Sequence, residues 1–316
     1  MEPRKLISFG NSSYIISLPK AWVNRHDLGK GDFVYCFENG NDEIVIAPQE
    51  KEIKKEIRKV AINVGKKTFK EVKREIISNY IAGYDIIRVE SNQNLKFYKE
   101  LRDSIRDFTT MDITDQGKNL IVAKDFLNLE RISLEDLTRR MDLIIRSMME
   151  DTKHYDKKLN LEKIYNMDNE INRITFMLFR FIKKALNDPR LAKSFGLASE
   201  NLLTLWLMVS HLEKFADEIK RVAKFFKVLN IKRADFEELL YIYALIEKEY
   251  LTTMKSYYNK NKDLAFNVAS NKDEILEKCN KLLTKSNIAI TGSVIEKFKS
   301  MEHFIVFLAR DIYEQN

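Results

Sequence analysis

Glu213 and Asp217 stand four residues apart in a stretch whose apolar side chains recur at helical spacing: Leu202, Leu205, Val209, Leu212, Ala216, Ile219, Ala223 and Phe226. Each acid follows a stripe residue by one place, so both flank the buried seam of that helix. Like charges at this spacing oppose one another unless a cation sits between them. A divalent ion would serve, and hard carboxylate oxygens suit Mg, Ca, Mn or Fe. Asp168 occupies an apolar stripe itself, between Ile164 and Ile171, where a carboxylate needs a partner. Ordinary ion pairs are the competing reading, because Arg221 lies four residues after Asp217 and Lys220 seven after Glu213. A second chemistry is cationic. Arg4, Lys5, Lys20 and Arg25 place four of the five basic residues of positions 1–48 within the first 25, while Glu38, Asp42 and Glu43 cluster further on. Such a distribution suits phosphate contacts even though the segment's net charge is −1.

Catalytic groupings do not emerge. His26, His154, His211 and His303 are scattered, and no Ser/His/Asp, Cys/His or Gly-rich nucleotide pattern appears. A di-iron bundle would need two Glu-x-x-His motifs, and the nearest feature is a single Asp151-x-x-His154. The chain is therefore read as a non-enzyme. Cys36 and Cys279 lie too far apart in sequence for a disulfide framework and belong to no zinc-type cluster, which suits a reducing compartment.

The elements that position these residues change along the 316-residue chain. Three of the four prolines and four of the nine glycines fall in the first 48 residues. There, KLISF and YIISL read as strands around a GNSS turn, and LPKAWVNRHDL as one short helix. FVYCF and EIVIAP flank Asn39-Gly40, the strongest hairpin signal present. Residues 49–128 alternate: IRKVAINV, DIIRVES and NLIVAKDF suit strands. KTFKEVKREIISNYIAG, closed by Gly83, and LKFYKELRDSIRDF suit helices. Gly65-Lys66-Lys67-Thr68 before the first of them is read as an ordinary loop in preference to an anion site. Residues 129–316 read as helix throughout. Ser133 with Asp136 caps the first helix, and Leu134, Leu137, Met141, Ile144, Met148 and Tyr155 form its stripe. Ile164, Ile171, Leu178, Ile182 and Ala185 mark the second, which ends near Asn187-Asp188-Pro189. Six long helices suggest a duplicated three-helix unit, with repeats at 129–230 and 231–316. The N-terminus turns polar too soon for a signal peptide, and the longest apolar stretch falls short of the ~20 residues a bilayer requires. A cytoplasmic protein without membrane insertion is expected.

A 48-residue β-rich segment buries little surface by itself. With no metal cluster or disulfide, pairing with a second copy is the remaining way to gain an interior. Twofold symmetry would then double Arg4, Lys5, Lys20 and Arg25 on one face, spaced to meet duplex DNA. Asn11, Ser12 and Ser13 could donate to phosphates from the turn, or only shape it.

Two resemblances join these readings. Arg4-Lys5-Leu6, Gly10-Asn11-Ser12-Ser13, Ser17-Leu18-Pro19-Lys20-Ala21-Trp22 and Leu28-Gly29-Lys30-Gly31-Asp32, with the hairpin ending in EIVIAP, resemble the AbrB/SpoVT swapped-hairpin DNA-binding domain. The helical part resembles the PhoU family of phosphate-response regulators, on the Glu213–Asp217 ExxxD motif. Ser78 to Asp85 is similar to a segment that precedes the PhoU repeats in archaeal AbrB–PhoU fusions. The resemblance implies a multidomain chain. An N-terminal swapped-hairpin β-barrel (1–48) is followed by a small α/β middle unit (49–128) and a C-terminal all-α duplicated three-helix bundle (129–316). It implies dimerisation through the barrel and double-stranded DNA as ligand, with Arg4, Lys5, Asn11, Ser12, Lys20 and Arg25 as contacts. In PhoU-like bundles acids from two adjacent helices meet at a metal. Asp168 is then the residue facing Glu213 and Asp217, and the cofactor would be Mg, Mn, Fe or Zn. The family's second acidic position on that helix is Asn172 here. In the second repeat, Lys299 and His303, or His303 and Phe307, stand where the acids would be, and Lys272 and Leu276 where their facing residues would be, so no second site is expected.

The functional expectation is a phosphate-responsive transcriptional regulator that binds operator DNA as a homodimer. A phosphate-transport ATPase or a signalling protein would be the further partner. The alternative is a PhoU-like adaptor that acts by protein contact without DNA. An antitoxin-like repressor is the third reading, weakened by the long helical portion.

Overall fold

The computed structural model describes residues 3–10, 12–38, 44–48, 57–126, 132–154, 159–229, 231–285 and 289–314. They form two compact units, Met1–Glu56 and Ile57–Asn316.

The first unit holds two separate antiparallel hairpins and one short helix. Strands β1 (Ile7–Phe9) and β2 (Ser13–Ile15) pair with Ile7 opposite Ile15. The turn between them uses Gly10 at φ 68°, and the Ser13 hydroxyl donates to the Phe9 carbonyl at 2.8 Å. Helix α1 (Lys20–Arg25) starts after Pro19, and the Gly29 amide donates to the Asp32 carboxylate at 2.6 Å to close the turn that follows. Strands β3 (Tyr35–Glu38) and β4 (Ile44–Ala47) form the second hairpin; its expected Asn39-Gly40 turn lies outside the described residues. Within one chain the four strands do not close a barrel among the described residues. Ala47 is the only described residue of this unit that is buried. Phe33 is 81% exposed, Tyr14 71% and Ile44 70%, and Leu6, Ile7 and Phe9 are open as well.

The second unit is the opposite case. Its sheet runs β5 (Lys59–Asn63), β6 (Ile86–Glu90), β8 (Leu120–Asp125) and β7 (Met111–Gly117), with β5 parallel to β6 and the other pairs antiparallel. Strand β7 is an addition to the sequence reading. Its residues MDITDQG are mostly exposed and interrupted by a register shift between Ile113 and Asp115, so no apolar alternation announces it. Helices α2 (Phe69–Ile81) and α3 (Tyr98–Arg106) cover one face, burying Val72, Ile76, Tyr80, Leu101 and Ile105 against Ile62, Ile87, Val89, Ile121 and Ala123. The Thr68 side chain caps α2, and the Glu71 carboxylate returns to the Thr68 amide at 2.7 Å. Lys67 pairs with Glu75 at 2.7 Å, so this helix start is already supplied with its own anion, as an ordinary loop would be. Gly83 ends the helix at φ 87°.

Helices α4 (Leu134–Thr152), α5 (Leu161–Asn187) and α7 (Ser199–Val228) pack on one another; α8 (Arg233–Asn259), α9 (Lys262–Lys285) and α10 (Ala289–Tyr313) do the same, and α7 joins α10. A one-and-a-half-turn helix, α6 (Pro189–Ser194), follows α5 with Pro189 at its first position. The α7 stripe is buried at every predicted position. In α4 the stripe is turned: Leu137 and Ile144 are only partly buried, while Asp142, Ile145 and Met149 face inward. Asp142 explains the rotation. Its carboxylate accepts from the hydroxyls of Tyr250 and Tyr258, each at 2.9 Å, and pairs with Arg146 at 2.9 Å, tying α4 to α8. Tyr155 lies outside the described residues. No helix among the described residues is long and apolar enough to cross a membrane.

The α/β layer is fastened to the bundle by Arg180 of α5, whose side chain is fully buried. Its guanidinium donates to the carbonyls of Tyr80 (2.5 Å) and Tyr84 (2.9 Å) and to Asp125 Oδ2 (2.5 Å), and lies over the Tyr80 ring. One turn on, Lys184 reaches Asp125 at 2.9 Å and Asp85 at 3.1 Å. Phe176 of the same helix packs on Phe108 of the layer.

Two predictions follow from this packing. Replacing Arg180 by Met leaves Asp125 buried with a weaker counter-ion, and should cost about 3–5 kcal/mol of stability in chemical denaturation. Adding Asp125→Asn to that variant should recover part of the loss. The second concerns Glu302 of α10, which is buried with neither carboxyl oxygen hydrogen-bonded to a described residue. Burial and nearby Glu249 raise it to about 7, against the pull of Lys272. A carboxyl raised in the folded state stabilises the fold fully below its unfolded value near 4.5 and progressively less as pH climbs towards 7. Glu302→Gln should therefore flatten the fall in stability between about pH 5 and about pH 8, a difference of up to ~3 kcal/mol at 1.4 kcal/mol per pK unit.

Candidate functional site

The first candidate surface belongs to the N-terminal unit. Arg4 and Lys5 directly precede β1, Ser12 sits in the β1–β2 turn, and Lys20 and Arg25 open and close α1. All five are exposed. Asn11 lies outside the described residues. Lys5, Lys20 and Arg25 make no ion pair with any described residue, so their charges face solvent. The Trp22 ring lies 4.9 Å from that of His26, which braces the exposed face of α1. Ser13, weighed as a donor to an outside phosphate, spends its hydroxyl on the Phe9 carbonyl and shapes the turn. The local geometry suits an anionic ligand: Lys20 and Arg25 stand exposed at the two ends of α1, and neither is paired with an acid among the described residues.

The second candidate lies between α5 and α7. Asp168 is largely buried on α5, and Glu213 and Asp217 are half-buried on α7. The predicted meeting of these helices' acids occurs, and a cation stands among them. Lys220 places its ammonium 2.9 Å from Asp168 Oδ2 and 2.5 Å from Asp217 Oδ1. Arg221 takes Asp217 Oδ2 at 3.0 Å and also holds Glu218 at 2.5 Å. Lys297 of α10 adds a second contact to Glu218 at 3.4 Å. Asn172 donates to Asp168 Oδ2 at 3.4 Å. Burial works against the Lys220 charge, but the hydrogen bonds it donates to Asp217 and Asp168 outweigh that and hold the ammonium above its ordinary pKa. Glu213 has no hydrogen-bond partner among the described residues; burial first, then Asp217 and Asp168, press its carboxyl upward. Among the described residues no three His, Cys, Asp or Glu side chains are disposed to hold a metal ion. As arranged, the donor set does not fit a divalent cation.

The histidines serve structure. His211 meets Asp311 at 2.6 Å and stacks on Phe307, and His303 bonds the Lys299 carbonyl. Sequence reasoning did not name Lys220 as the bridge between Asp168 and Asp217, because it matched the lysine to Glu213 at seven residues. The signal was present at three residues from Asp217, where helical neighbours also meet.

Comparison with known families matches one segment in each compact unit. Residues 7–54 match the family described as antidote-toxin recognition MazE, bacterial antitoxin. Residues 138–226 match the PhoU domain, and this span runs from α4 to α7. The chain therefore joins a MazE/AbrB-type domain to a PhoU domain, and these are regulatory families. No curated protein and no solved structure matches it.

Proposed function

We propose that this chain is a homodimeric transcriptional regulator of the phosphate-uptake kind. Its N-terminal unit binds operator DNA, and its helical domain senses phosphate status or docks on a phosphate-transport or signalling partner. One observation carries the reading: the N-terminal unit exposes most of its large apolar side chains while presenting solvent-facing basic residues. Each large apolar side chain left in water forfeits roughly 1.5–3 kcal/mol. A second copy, hairpins interleaved, would cover Leu6, Ile7, Phe9, Tyr14, Phe33 and Ile44 and set two copies of Arg4, Lys5, Lys20 and Arg25 on one face. Phosphate contacts would then supply most of the affinity. Regulation would arise from a ligand or partner that prefers one of two dimer states.

The PhoU match favours a second reading, an adaptor that controls transport by protein contact and uses the N-terminal unit only to dimerise. The toxin-antidote role named for the other matched family is the least suited, since a long α/β layer and bundle follow that unit here.

Binding to DNA from the protein's own promoter region, measured at several salt concentrations, tests the first reading. A specific site with affinity falling steeply with salt is expected, and Arg4→Ala with Lys20→Ala should lower the salt slope by up to about 4 in the dimer, about 1 per cation lost. Intact dimers without DNA binding at any salt would favour the adaptor. Sedimentation provides the companion measurement. Phe33→Glu combined with Ile44→Glu should convert dimers to monomers, and a wild-type chain that stays monomeric with a fully folded N-terminal unit would defeat both readings.

A further inference from the structure

The acid cluster between α5 and α7 supports an inference independent of the DNA reading. Asp168, Glu213 and Asp217 bring three carboxylates to one seam, where like charges oppose one another unless a cation lies among them. Lys220 spans the seam, touching an acid on each helix at 2.9 and 2.5 Å. Arg221 occupies the remaining oxygen of Asp217 at 3.0 Å. Two positive side chains thus face three negative ones. A divalent ion entering this arrangement would reverse the local charge, and it would compete with an ammonium whose tether keeps it at high effective concentration.

We propose that Lys220 is the resident cation of this bundle: its ammonium stands where a divalent ion would otherwise bridge α5 and α7, and it makes the fold independent of metal. The corollary concerns stability. Without the Lys220 charge, Asp168 loses its ion pair and Asp217 is left to Arg221, which also holds Glu218, while no three of the described acids are disposed to take a metal in the lysine's place.

The full-length chain, its Lys220→Met and Lys220→Arg variants, and a Lys220→Met/Asp217→Asn control test this. Elemental analysis after dialysis against Mn2+, and thermal midpoints with Mn2+ or with EDTA, are the readouts. The wild-type chain should retain no stoichiometric Mn2+, and neither addition should move its midpoint; Lys220→Arg should behave alike. Lys220→Met should melt several degrees lower than the wild type, with Mn2+ or with EDTA. The added Asp217→Asn should recover part of that loss by removing an unpaired carboxylate. Stoichiometric Mn2+ in the wild type that Asp168→Asn removes would overturn the proposal. So would a Lys220→Met chain that folds with full stability. Should Lys220→Met fail to fold, the wild-type and Lys220→Arg measurements still decide whether the cation is built in.

Discussion

A guanidinium with no access to water must find acceptors inside the protein, and Arg180 dictates where the α/β layer can lie. Its partners are the carbonyls that end α2, Tyr80 and Tyr84, and the last residue of β8, Asp125. Those groups come together only when the sheet and α2 are placed against the middle of α5. Lys184 repeats the constraint one turn later, on Asp85 and Asp125. Hydrophobic contact, such as Phe176 on Phe108, supplies area but is tolerant of sliding. The buried charges are not, because an unpaired ion in that seam is far more costly than a shifted methyl group.

Helix α5 consequently belongs to two interfaces. Its C-terminal half carries Arg180 and Lys184 towards the sheet, and its N-terminal half carries Asp168 towards Lys220 of α7. Both contacts are ion pairs with little freedom of geometry. The N-terminal unit has no comparable fixing interaction among its described residues. It is held by short hairpins, a proline-led helix and turns with Gly10 and Gly31 at positive φ, around almost no interior. The larger unit is closed on itself, whereas the smaller leaves most of its apolar side chains exposed.

Much of this was readable from residue order. Periodicity located every long helix, and the α7 stripe was buried throughout because nothing polar interrupts it. Asn187-Asp188-Pro189 ended α5, and Ser133 capped α4 through the Asp136 amide at 3.0 Å. The undersized core of the first 48 residues was legible from length alone. Strand β7 was not, since an edge strand with one buried residue has no alternation to read. The inward turn of α4 was hidden for a related reason: Asp142 is paid for by tyrosines more than a hundred residues away, and a partner at that distance leaves no local trace. Arg180 falls in the same class. An arginine amid Leu178, Phe181 and Ile182 signals a buried charge, but two of its three acceptors are backbone carbonyls, which every residue has, and the third, Asp125, lies 55 residues away. For the acid cluster, the three carboxylates and both cations were in view, and Arg221 pairs with Asp217 as its spacing suggested, but Lys220 reaches Asp168 and Asp217 and not Glu213.

Gly83 ties these threads together. It was expected only to finish α2, and its φ of 87° does so. A β-carbon at this position would meet Lys184 Cγ at 3.3 Å, with Cε at 3.5 Å and Arg58 Nη1 at 3.7 Å. The missing side chain is thus the corridor along which the lysine stem reaches its two aspartates. Handedness of the backbone and clearance for a charge coincide at one atomless corner, so an alanine there would strain the turn and crowd the seam in a single step.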